Sequence, residues 1–87
     1  MLSDQDGAVR REAVEVMGEL KTESVLAPLA RALTDPHSDV RRAAIQALLD
    51  TGLLQSDLLL RQALKDPHPD VAREAERALR ELGEPRE

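Results

Sequence analysis

Asp35-Pro36-His37-Ser38-Asp39-Val40-Arg41-Arg42-Ala43-Ala44 returns 31 residues later as Asp66-Pro67-His68-Pro69-Asp70-Val71-Ala72-Arg73-Glu74-Ala75. The same step backwards lands on Asp4-Gln5-Asp6-Gly7-Ala8-Val9-Arg10-Arg11-Glu12-Ala13. Asp4, Asp35 and Asp66 fall in one column, Val9, Val40 and Val71 in a second, and Arg11, Arg42 and Arg73 in a third. Between residues 9–39 and 40–70, 11 of 31 positions are identical, which is internal duplication. Such a period reads as stacked copies of one small unit, none of which can bury its apolar face alone.

Each copy carries apolar or small residues at i, i+4, i+7, i+8 and i+11. They are Val9, Ala13, Val16, Met17 and Leu20, then Val40, Ala44, Ala47, Leu48 and Thr51, then Val71, Ala75, Ala78, Leu79 and Leu82. That spacing is one stripe of an amphipathic helix, and strand alternation is absent. Residues 24–34 and 55–65 predict two further helices, sharing Leu29/Leu60, Ala32/Ala63 and Leu33/Leu64. With Ser24 as N-cap, Pro28 sits in the first turn, where a missing N–H costs nothing. Asp35-Pro36 and Asp66-Pro67 end these helices, because a residue before proline avoids the α region. Pro69 suits the first position of the next helix, Asp39 and Asp70 its positive end, and Gly52 and Gly83 left-handed caps. The expectation is all-α: five helices joined by short turns, an α-solenoid of antiparallel pairs in a right-handed superhelix.

The order Pro28, Asp35, Val40, Arg41 — a Pro in the first helix, then Asp-x-x-x-x-Val-Arg at the turn — resembles the HEAT repeat. The short period, with residues 13–20 (AVEVMGEL) and 75–85 (AERALRELGEP), resembles the phycobilisome-lyase-type HEAT-like subgroup. The resemblance covers residues 4–85 as about two and a half units: 4–21 in part, 22–52 and 53–83. It implies that the second helix of each unit lines an inner, concave surface. Ala72 stands where the motif has Arg, so one rung of any Asp–Arg ladder is missing in the last unit; Leu59 replaces the Pro of the second unit. Met1-Leu2-Ser3-Asp4 aligns with Ala32-Leu33-Thr34-Asp35, the tail of a helix whose body is absent. Glu76 and Arg80 occupy the columns of Val14/Ile45 and Gly18/Leu49, and a more polar last helix reads as a terminal cap.

Composition narrows function by exclusion. The 87 residues allow a single domain, and there is no Cys, Trp, Tyr or Phe. A disulfide scaffold, a cysteine nucleophile and aromatic base stacking are therefore absent. The net charge of −5 argues against nucleic acid, and no apolar run is long enough to span a membrane. No signal-peptide pattern opens the chain, so the expected compartment is the cytoplasm. His37 and His68 recur by period, as duplicated turn residues, and not by metal-ligand geometry. The acids lie on polar positions, the four glycines are isolated, and no His-Glu dipeptide supports iron chemistry of the hydroxylase kind seen on similar folds. Neither catalytic residues nor a metal nor a cofactor is expected, and the chain reads as a non-enzyme.

The candidate site is the polar face opposite the apolar stripe. Arg11, Arg42 and Arg73 form one column there, Glu15, Gln46 and Arg77 the next, and Gly18, Leu49 and Arg80 the third. Arginine suits bidentate capture of carboxylate or phosphate. Arg11, Arg42, Gln46, Leu49, Arg73, Arg77 and Arg80 thus predict a surface for an acidic or phosphorylated segment of another protein, with Leu49 as its apolar anchor. The competing expectation for the same charges is a solvated face with local pairs Arg77–Glu81, Glu76–Arg80 and Glu74–Arg77. Two alternatives stand beside the binding module. One is an accessory part of a lyase-type enzyme; the other is a self-associating piece of a longer solenoid, whose open stripe around Val9, Val14 and Met17 would pair with a second copy.

Overall fold

A computed structural model describes residues 7–83; Met1–Asp4, aligned above with the tail of a missing helix, lie outside the described residues. Among these there are five α-helices: α1 (Gly7–Met17), α2 (Leu26–Ala32), α3 (Ser38–Thr51), α4 (Ser56–Ala63) and α5 (Pro69–Gly83). A 3-10 turn at Glu23–Val25 leads into α2. The fold is the expected all-α solenoid. Both Asp-Pro steps lie between helices, and α3 and α5 restart after His37 and His68. Pro69 opens α5, and Asp39 and Asp70 stand in first turns, beside the positive end of the helix dipole.

Helix α3 is the hub and touches all four others. It buries Val40, Ala43, Ala44, Ile45, Ala47, Leu48 and Thr51. Leu29 of α2 and Leu60 of α4 are fully buried beside it, as are Val71 and Ala75 of α5. Burying a Leu or Ile is worth about 1.5–3 kcal/mol, so these aliphatics dominate the stability. The core needs no aromatic because the molecule is only 15 Å across its thinnest dimension. Gly18 shows how close the helices come: a Cβ there would meet the Ala47 Cα at 3.0 Å.

Several expectations change in detail. Much of the first apolar stripe is not core: Val9, Val16 and Leu20 are 43%, 57% and 51% exposed, whereas their counterparts Val40, Ala47 and Thr51 are at most 4% exposed. The reason is topological. Helices α1 and α2 pack on α3, but no described element packs on the corresponding side of α1. Val14, expected to be open, is only 4% exposed and belongs to the core. Gly18 leaves the outer column for the same reason, being wedged against Ala47. Gly52 is the expected left-handed cap (φ 66°), but Gly83 simply ends α5 without a positive φ. Ser24 is not an N-cap; it lies inside the 3-10 turn and exchanges a hydrogen bond with the Thr22 hydroxyl. Leu54 and Leu58 are solvent-facing.

The Gly52 turn is closed by polar groups. The buried Thr51 hydroxyl lies 2.8 Å from the Leu48 carbonyl, to which it donates, and 3.1 Å from the hydroxyl of fully buried Ser56. Each hydroxyl therefore has a partner where burial without one would be costly.

Candidate functional site

Arginines on α1, α3 and α5 fall into two classes, although some are neighbours in sequence. Arg10 clamps Asp35 with two hydrogen bonds, Nε to Oδ2 at 2.7 Å and Nη2 to Oδ1 at 3.1 Å. Arg41 does the same to Asp66, at 2.7 and 3.2 Å, and also donates Nη1 to the Asp35 carbonyl at 2.6 Å. Each rung runs 25 residues forward, from one helix to the turn of the next unit. Both aspartates also accept a backbone N–H two residues on, from His37 and His68, at 2.9 Å. The motif Asp-Pro-His is thus a turn lock: its carboxylate holds its own loop and receives the preceding helix. Ala72 costs no rung among the described residues, because Asp35 and Asp66 take their arginines from positions 10 and 41.

Burial pushes the Asp35 carboxyl up, but the Arg10 hydrogen bond, the His37 N–H and the Arg10 and His37 charges together hold it below the ordinary carboxylate value. His37 Nδ1 lies 3.0 Å from Arg10 Nη2, and His68 Nδ1 accepts the Asp70 N–H. The histidines therefore serve the turns. Among the described residues no three of His, Asp or Glu converge on a metal-sized point.

Arg11, Arg42, Arg73 and Arg80 are the second class. Their ion pairs are with neighbours on the same helix: Arg11–Glu15 at 3.8 Å, Arg42–Asp39 at 3.8 Å, Arg73–Asp70 at 3.5 Å and Arg80–Glu76 at 3.3 Å. All eight side chains are between about half and three-quarters exposed. Arg77 makes no ion pair among the described residues, so of the three expected local pairs only Glu76–Arg80 forms.

The predicted residues gather in two hollows. Arg11 and Arg42 line one of about 200 Å³ between α1 and α3, together with Glu15, Asp39 and Glu74. Gln46, Leu49 and Arg77 line a second of about 130 Å³ between α3 and α5, beside Glu74 and Glu81. Arg73 and Arg80 line neither. Leu49 is half-buried against the core and not a free-standing anchor.

A sequence profile described as HEAT repeats matches residues 1–80. The chain belongs to the HEAT-repeat family. No curated protein matches it. HEAT repeats are commonly protein-interaction scaffolds, and this HEAT domain contains, among its described residues, no helix long and apolar enough to cross a membrane. Within the HEAT motif, the Arg41 that follows the column valine is structural. Its neighbour Arg42, one residue on, is the solvent-facing one. The helical angle from the stripe placed Arg11, Arg42 and Arg73 on the exposed side, and of the stripe expected to be open, Val9 is exposed and Met17 lines a groove between α1 and α2.

Proposed function

We propose that this HEAT domain is a protein-binding module whose α1–α3–α5 face holds an acidic or phosphorylated segment of a partner. Arg11, Arg42, Arg73, Arg77 and Arg80 supply the oxyanion contacts, with Gln46 and Leu49 between them. The observation that supports this reading is the division of the arginines. Arg10 and Arg41 are spent on bidentate locks at 2.7 Å, whereas the outward column is tied only by exposed pairs of 3.3–3.8 Å. Exposed pairs of that kind are worth about 0–1 kcal/mol, so a partner's carboxylates or phosphates displace them at little cost. Glu15, Asp39 and Glu74 in the first hollow would set register, since they repel an anion placed out of step with the guanidinium groups.

The test uses a fluorescein-labelled glutamate dodecamer and its phosphoserine counterpart, titrated at low and high salt. Saturable, salt-sensitive binding is expected, weakened at least tenfold by Arg42→Glu with Arg73→Glu, at unchanged helicity. Equal affinity of the double variant removes the site.

A further inference from the structure

The hollow between α3 and α5 carries the wrong sign for a face that collects only anions. Of its lining, Glu74 and Glu81 are acidic and Arg77 alone is basic. Arg77 stands three residues after Glu74 and four before Glu81, which is ion-pair spacing on a helix, yet it pairs with neither among the described residues. Glu74 is half-buried and also lines the α1–α3 hollow, where Arg11 and Arg42 already have Glu15 and Asp39 as partners. It is the third acid against two arginines there, and it makes no ion pair of its own among the described residues. Gln46 adds an acceptor: its Nε2 donates to Asp50 Oδ1 at 3.3 Å, which leaves the amide oxygen without a donor among the described residues. Leu49 supplies an apolar wall.

We infer that the partner segment carries one lysine between its acids and that this hollow receives it, a step that rests on the anion-binding face proposed above. An ammonium group has three N–H donors and no acceptor. The hollow offers three acceptors, the Glu74 and Glu81 carboxylates and the Gln46 amide oxygen. Its volume of about 130 Å³ is room for roughly four waters at about 30 Å³ each, which suits an unbranched stem laid along Leu49. A carboxylate placed here would instead face two carboxylates with one guanidinium between them, and like charges brought together cost affinity. The order of charges in the partner follows from the order of the helices. Arg11 and Arg42 take acids at the α1 side, the lysine enters between α3 and α5, and Arg73 and Arg80, which line neither hollow, take acids on α5.

The test compares the fluorescein-labelled glutamate dodecamer with two relatives in which its sixth residue is lysine or glutamine. On a face that seeks anions alone, affinity falls from glutamate to glutamine to lysine. Here the lysine peptide should bind tighter than the glutamine peptide by about fivefold or more. Glu74→Gln should remove that preference, and Glu81→Gln, at an exposed position, should reduce it at unchanged helicity. A lysine peptide no tighter than the glutamine one overturns the inference, as does a preference that survives both substitutions. Arg42→Glu with Arg73→Glu separates the two readings. If it weakens all three peptides and lysine is never preferred, the face stands and the lysine site falls. If a Glu74-dependent lysine preference persists at undiminished affinity, the lysine site stands and the arginine face falls. No saturable binding of any peptide overturns both.

Discussion

Removing the Asp66 carboxylate tests how much the turn locks matter. In Asp66→Ala, Arg41 loses two charge-assisted hydrogen bonds and the His68 N–H loses its acceptor. The side chains of Arg41 and Asp66 are only 14% and 6% exposed, so water restores little. Breaking a fully buried pair costs about 3–5 kcal/mol. Here the Arg41 bond to the Asp35 carbonyl survives, which keeps one guanidinium N–H satisfied and lowers the cost. Hydrogen bonds to charged groups contribute about 1.5–3 kcal/mol and the turn bond about 1. The expected loss is therefore roughly 2–4 kcal/mol, a large share of the roughly 5–10 kcal/mol that a domain of this size possesses. Urea melts followed by circular dichroism at 222 nm measure it, and the thermal midpoint should drop about 8–32 °C at roughly 4–8 °C per kcal/mol. The matched control is Glu76→Ala, which breaks a pair with both side chains more than 60% exposed and should change stability by about 0.5 kcal/mol or less. A double-mutant cycle of Arg41→Ala with Asp66→Ala should show a coupling above about 1.5 kcal/mol. A coupling no larger than that of the Arg80–Glu76 pair would refute the claim that the ladder holds successive units together.

Asp35 gives the pH signature of the same device. Its folded-state value lies below the unfolded one, so its contribution is complete above the ordinary carboxylate value of about 3.9 and is lost as pH falls through the lowered one. The stability gap between wild type and Asp35→Asn should therefore shrink between pH 6 and pH 3; a constant gap would contradict it. Gly18→Leu should push α1 off Ala47 and destabilise by about 1–3 kcal/mol, despite the better helix propensity of leucine, as read by the urea midpoint. Loss of the α1 signals first in hydrogen exchange would locate the damage.

The sequence already contained the helices and their order. Asp-Pro steps, the i, i+4, i+7 stripe and the 31-residue period are local or periodic signals, and they act through backbone sterics and helix geometry that neighbours do not alter. The outward direction of Arg11, Arg42 and Arg73 was legible for the same reason, since a helical angle from the stripe suffices. What local pattern could not supply was which side of each helix has a neighbour. Val9 and Val40 carry the same residue in the same column, yet one is 43% exposed and the other 1%, because burial depends on what packs against the helix. Adjacent Arg41 and Arg42 look alike in sequence, and only the arrival of the Asp66 turn beside α3 makes one a lock and leaves the other in solvent. Period and stripe are properties of a chain by itself, whereas burial, pairing and an open groove belong to the assembled stack. The first could be read from residues alone, and the second required the helices to be put side by side.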